Sequence, residues 1–223
     1  MRGKKVRIAM AAIAVICIVA ASIALYQPAM NYLGRQAGNP TGLIGSLMTR
    51  IWSVTFNSLH QWGFSHVNLS DEDVILVVGF GSGSGIRHIK GINSKNTIHG
   101  IDISEEAVKT ATSLNQTYVN AGDVLLSVCN VADLAFDDDF FHLVVAGQTH
   151  MYWGEELKKG LSECHRVLKQ GGTLLITSEI DTLEYFLPEY KEHDHFVALL
   201  HDVGFREVNC KVSGNYVAFI CIK

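Results

Sequence analysis

The segment Val74-Ile75-Leu76-Val77-Val78 runs directly into Gly79-Phe80-Gly81-Ser82-Gly83-Ser84-Gly85, and no other stretch limits the fold so sharply. A continuous β-branched apolar run has no polar face, so the strand it forms is covered on both sides, as inside a parallel sheet. Glycines at its end allow a tight turn and let a ligand approach the backbone with no Cβ in the way. Ile86-Arg87-His88-Ile89 then opens a helix. The alternation continues through a second strand, Thr97 to Asp102, and a helix capped by Ser104-Glu105-Glu106 that runs through Ala107, Val108, Ala111 and Leu114. A third strand is expected from Val124 to Cys129 and a fourth from Phe141 to Ala146. A helix from Glu155 to Leu168 and the turn Gln170-Gly171-Gly172 lead to a fifth, Thr173 to Thr177. After a last helix, His193 to Val203, the segments 205–212 and 216–222 read as a hairpin around Ser213-Gly214-Asn215. Five strands separated by helices predict a doubly wound parallel α/β sheet, whose ligand lies beyond the carboxyl ends of the strands. Gly79–Gly85, Asp102 and Asn130 gather around that crevice.

Charge divides the 223-residue chain in two. No Asp or Glu precedes Asp71, so residues 1–70 carry +6, whereas residues 71–223 hold 12 basic and 22 acidic residues, a net of -10. An acidic body does not attract nucleic acid. The five cysteines contain no C-x-x-C pair, which argues against a zinc site or a disulfide framework, and His193 and His195 fall in no metal-binding array. No metal is expected. After Met1-Arg2-Gly3-Lys4-Lys5-Val6-Arg7, the uncharged run Ile8 to Tyr26 spans about 28 Å as a helix, close to the bilayer's hydrocarbon thickness. Residues 1–30 therefore read as a transmembrane anchor or a signal sequence, with Ser22-Ile23-Ala24 as the cleavage site in the second case. The longer run favours a single-pass N-terminal anchor, with membrane contact through residues 8–26. Residues 31–70 form a helical linker or lid. Within them Asn39 to Phe64 repeats apolar residues at helical spacing, as an amphipathic helix packed on the main domain or lying at the membrane surface. Residues 71–223 form the domain proper.

The glycine loop lacks the dinucleotide fingerprint, because Ser84 stands where a third glycine belongs, and no G-K-[ST] follows it. What remains is G-x-G-x-G with Asp102 placed to hold a ribose diol, and no basic cluster for a phosphate. Such a pocket suits S-adenosylmethionine better than NAD or ATP. At this point the chain resembles the class I S-adenosylmethionine-dependent methyltransferases, especially the small-molecule branch (methyltransferase type 11) that includes quinone-biosynthesis enzymes. The resemblance covers residues 73–223. It rests on Val78–Gly83, on His99–Ser104, on Asn130–Phe136 followed by Phe140–Val144, on Glu163–Gly172, and on the terminal hairpin after Val203-Gly204-Phe205. It implies a Rossmann-like, seven-stranded methyltransferase sheet closed by an antiparallel hairpin. Carried over by position, Gly79, Phe80, Gly81 and Gly83 pass under the methionine and ribose parts and Asp102 holds the ribose hydroxyls. Ile103 packs on adenine, the Asn130 amide oxygen accepts from the adenine amine, and the Val131 N–H faces the ring. Val77 stands where the family usually carries an acid that organises the methionine end, and His142 stands in place of an Asp.

Methyl transfer from a sulfonium is an in-line displacement dominated by positioning, with a base needed only where the acceptor must lose a proton. His150, in Gly147-Gln148-Thr149-His150-Met151-Tyr152-Trp153, is the candidate base, set against a structural role in shaping the pocket; Glu179 is a second polar candidate. The expectation is methyl transfer to a small, apolar or lipid-like acceptor. The alternative is a catalytically inert member that binds a nucleoside or a partner protein, which Val77 favours and Gly79–Gly83 with Asp102 oppose. A nicotinamide-dependent reductase is disfavoured by Ser84 and the hairpin. The positive-inside bias sends the domain across the membrane, whereas the cofactor is intracellular; the motif set favours an intracellular-facing or interfacial domain, with the side of the membrane not fixed by the sequence.

Overall fold

The computed structural model describes residues 57–223. Helix α1 (Asn57–Phe64) leads into a sheet of seven strands: β1 (Val74–Val78), β2 (Thr97–Asp102), β3 (Val124–Val128), β4 (Phe141–Gly147), β5 (Leu168–Glu179), β6 (Glu207–Ser213) and β7 (Tyr216–Ile222). Between them lie α2 (Ser84–Ile92), α3 (Glu105–Leu114), α4 (Gln116–Ala121), α5 (Leu157–Val167), α6 (Ile180–Phe186) and α7 (His193–Val203). The order across the sheet is β3-β2-β1-β4-β5-β7-β6, with β7 antiparallel to both β5 and β6. Strand order reverses between β1 and β4, which opens the crevice at their carboxyl ends.

The β1 run is covered on both faces, as its composition requires. Leu76 and Val78 join a core with Val144, Ile176 and the apolar faces of α5 and α7, while Ile75 and Val77 join another with Val145, Leu175, Ile86 and Phe64. Val77 is therefore a core residue on the face that α1 covers. Gly100 in β2 lets this second layer close: a Cβ there would meet Leu126 at 2.6 Å and Phe80 at 2.8 Å. His142, in place of the expected acid, accepts the Val74 N–H at its Nδ1 (3.0 Å) and so ties β4 to the start of β1.

Several boundaries differ from the sequence expectation. Two single 3₁₀ turns, His150–Tyr152 and Gly154–Glu156, precede α5, which begins at Leu157 rather than Glu155. Strand β5 extends back through Gln170-Gly171-Gly172 to Leu168, because Leu168 pairs with Phe141 and Thr173 with Leu143, the residues between forming an irregularity in the ladder. Of the expected helix Asn39 to Phe64, only α1 lies within the described residues. The run 8–26 read as a membrane anchor lies outside them, and among the described residues no helix is long and apolar enough to cross a membrane.

Lys90 shows how closely the loops are fastened. Its side chain is buried in α2, and Nζ donates to the carbonyls of Ser94 (2.6 Å) and Asn96 (2.7 Å) beside the Tyr118 ring. Lys90→Met keeps the apolar stem but strips both carbonyls of their donor. It is expected to destabilise the chain by about 2–4 kcal/mol, seen as a lower urea midpoint at unchanged slope.

Candidate active site

Each glycine of the loop answers a different requirement. Gly79 has φ 64°, and a Cβ on it would lie 2.0 Å from Thr149 Oγ1, so the loop and the turn after β4 close on one another only without a side chain there. At Gly83 (φ 80°) a Cβ would meet Ala111 and the Asn115 amide at 2.7 Å, and the Asn115 side chain donates to the Gly83 carbonyl (3.1 Å). Those two glycines serve packing within the protein. Gly81 (φ 53°) is different: a Cβ there would meet nothing within 4 Å, so its backbone borders open space. Phe80 turns its buried side chain towards Gly100, leaving only its backbone to the crevice.

Asp102 sits at the carboxyl end of β2 with its side chain almost wholly buried. Oδ2 accepts the Gly81 N–H (2.9 Å) and Oδ1 the Ser104 N–H (3.0 Å). Burial pushes its pKa up, while backbone N–H groups of Ser104, Gly81 and Ile103 pull it down. Each carboxylate oxygen keeps a further lone pair for a vicinal diol. Ile103, next in the chain, is half exposed. With no Lys or Arg between Gly79 and Ile86, the cradle suits a nucleoside with a free ribose and no phosphate chain.

The third wall is the loop after β3. Val131 is buried. Asn130 differs from expectation in one respect: its amide oxygen accepts the Ala132 N–H (2.9 Å) and its amide nitrogen donates to Glu156 (2.9 Å). These bonds hold the side chain to its own loop and leave the amide oxygen a second lone pair. Arg166 fastens that loop from α5, donating to the carbonyls of Leu134 (2.9 Å) and Phe136 (2.8 Å) and pairing with Glu163 and Asp138. Glu163 in turn accepts the Leu134 N–H (3.0 Å), and Arg166 beside it lowers its pKa. The sequence motif around Glu163 is thus a clamp on a loop roughly thirty residues away in the chain.

On the β4 side, Gln148 adopts φ 54° and joins β4 to β5: its N–H donates to the Thr177 carbonyl and its Oε1 accepts the Glu179 N–H, both at 2.8 Å. Glu179 lies near Tyr152, whose hydroxyl is pushed up to about 12 by burial and by that carboxylate. His150 does not reach the crevice. Its side chain is fully buried against Phe196 and Trp153, and neither ring nitrogen has a hydrogen-bond partner. The base role expected for it does not fit that position, because an enclosed imidazole touches no acceptor. Sequence reasoning instead missed His60. This side chain on α1 lies between Gly85 and Gly147, on the rim of the crevice, and nothing in its local sequence marks it.

Burial lowers the His150 pKa to about 3. The folded chain keeps it neutral, while the unfolded chain protonates it below about pH 6.5, so its contribution to stability is lost as pH falls from about 6.5 towards 3. His150→Leu is expected to leave stability at pH 7 within about 1 kcal/mol. Between pH 6.5 and 4.5 the variant should lose about 1.4 kcal/mol less per pH unit than the parent, measured by urea unfolding at several pH values.

Residues 76–176 match the family model described as "Methyltransferase domain". The uncharacterized methyltransferase YdaC of Bacillus subtilis is 28% identical over 122 residues, covering 55% of this chain and 65% of its own. The ubiquinone/menaquinone biosynthesis C-methyltransferase UbiE of Geotalea daltonii is 30% identical over 150 residues, covering 66% of this chain and 62% of its own. The chain thus spans just under two thirds of each of these two relatives. Among solved structures, an S-adenosylmethionine-dependent methyltransferase from Aquifex aeolicus superposes with a TM-score of 0.66 at 18% identity, over 79% of this chain and 97% of that one. Residues 76–176 therefore match a methyltransferase domain, in the fold of solved S-adenosylmethionine-dependent methyltransferases, which supports S-adenosylmethionine as the cofactor.

Proposed function

We propose that residues 71–223 transfer the methyl group of S-adenosylmethionine to a small, apolar acceptor. The observation that carries the reading is the pairing of Asp102 with Gly81: a buried carboxylate at the end of β2 holding a glycine whose outer side is open. In this reading Asp102 binds the ribose hydroxyls through its free lone pairs, and Gly79, Phe80, Gly81 and Gly83 offer backbone to the ribose and methionine parts. Ile103 covers one face of the adenine, and the loop of Asn130 and Val131 closes its edge. When bound, the cofactor supplies an activated methyl group; the protein's task is to orient the acceptor in line with it and exclude water. Apolarity of the acceptor is supported by the relative named for quinone biosynthesis and by the uncharged run 8–26, which we propose anchors the chain in a membrane.

Calorimetry on the full chain in detergent, with S-adenosylmethionine, S-adenosylhomocysteine and NAD, tests the cofactor site. The first two are expected to bind and NAD not to. Asp102→Ala removes two charge-assisted bonds to the diol and also frees the loop, so affinity should fall at least about 100-fold. Unchanged affinity in that variant refutes the assigned site. For the acceptor, a 1,4-naphthoquinol bearing a short prenyl chain is expected to be methylated faster than a polar catechol; the reverse order refutes the apolar assignment. Residues 8–26 are tested by alkaline carbonate extraction of membranes, in which the chain is expected to stay in the pellet, and its release sinks the anchor.

A further inference from the structure

One polar side chain enters the crevice from outside the sheet's own loops. Helix α1 lies against the carboxyl end of β5, where Gly63 leaves room for Thr177; a Cβ on Gly63 would come within 2.6 Å of its methyl group. One turn earlier, the His60 ring is held between two glycines. A Cβ on Gly85, in the first turn of α2, would lie 3.5 Å from Cε1, and one on Gly147, at the end of β4, would lie 3.5 Å from Nε2. Nδ1 is buried and has no partner among the described residues. Among the described residues His66, His150 and His193 also hold a buried ring nitrogen without a partner; His60 differs from them by its place between the first turn of α2 and the end of β4.

We propose that His60 is a catalytic residue, contacting the acceptor and taking its proton as the methyl group is transferred. The proposal rests on the cofactor reading above. Asp102 fixes the ribose end at β2, and Gly81 opens the way across β1. A ligand extended along that line ends towards β4, where Gly147 and His60 stand. In the step, the acceptor atom forms a bond to the methyl carbon, the carbon–sulfur bond breaks with its electron pair staying on sulfur, and the acceptor's proton passes to His60 Nε2. One positive charge exists before and one after, moved from sulfonium to imidazolium. Burial, aided by the neighbouring charge of His88, lowers the His60 pKa to about 4, so the ring is neutral and able to accept. A sulfonium beside it holds it neutral more firmly, and loss of that charge during transfer raises its proton affinity when the proton must be taken.

The binding and titration measurements need no knowledge of the natural acceptor. Imidazole nitrogen NMR of the full chain, assigned with His60→Gln, is recorded across pH with S-adenosylmethionine and with S-adenosylhomocysteine, which differ by one methyl group and one charge. Calorimetry on the same samples reports binding. Both ligands are expected to bind, and the His60 midpoint is expected about one pH unit or more higher with S-adenosylhomocysteine. His60→Gln should bind S-adenosylhomocysteine within threefold of the parent and, with the prenylated naphthoquinol, lower kcat about 100-fold. Binding of both ligands with coincident His60 midpoints overturns the proposal, as does an unchanged kcat in His60→Gln. If neither ligand binds, the cofactor reading itself fails, and this proposal falls with it.

Discussion

Much of the site hangs from one carboxylate. Asp102 is buried where a lone negative charge is costly, and the chain compensates with backbone N–H groups from two directions, Gly81 and Ser104. The Gly79 N–H adds a bond to the Ile101 carbonyl (2.8 Å), so the loop after β1 is stitched to the end of β2 at successive points. The same arrangement that stabilises the charge shapes the ligand cradle. It also explains why the loop is rich in glycine: at φ values near 50–80° a side chain is strained, and at Gly79 and Gly83 it would collide as well.

Around that core the remaining walls are fixed by long-range contacts. Arg166 reaches from α5 to the loop after β3 and holds it with two carbonyl bonds and an ion pair to Asp138, while Glu163 on the same helix braces the guanidinium. Because the guanidinium presents several donors in a rigid fork, one residue secures a loop that has little regular structure of its own. On the opposite side, Gln148 in a left-handed conformation and the neighbouring Thr149 lock the turn after β4 against β5 and Gly79. Three sides of the crevice are thus fastened by long-range contacts, and α1 with His60 lies along the fourth.

The fold was largely readable because its signals are local. The unbroken apolar run at 74–78 could only be an interior strand, and α7 and β7 appear with the boundaries their patterns suggest; α7 ends at Gly204, whose φ of 123° suits no other residue well. The 3₁₀ turns before α5 were not readable, since Gly154-Glu155-Glu156 looks like an ordinary helix start. Nor was the backward extension of β5, where pairing of Leu168 with Phe141 overrides the turn tendency of Gly171-Gly172. The hydrogen bonds of Asn130 to Ala132 and Glu156 were not readable either, because they exist only once the loop has folded.

The sequence by itself determined the alternating strand–helix order, the glycine loop, the acid at the end of β2 and hence the class of cofactor, because each depends on residues adjacent in the chain. Where each histidine lies was decided only by tertiary structure. His150 follows β4 directly, yet the 3₁₀ turn carries it into the core against Phe196. His60 lies far upstream in a helix with no motif, and it arrives between Gly85 and Gly147 because α1 packs over the carboxyl ends of the central strands. Periodicity reports which face of an element is buried, whereas the partner of that face depends on how the whole sheet is assembled.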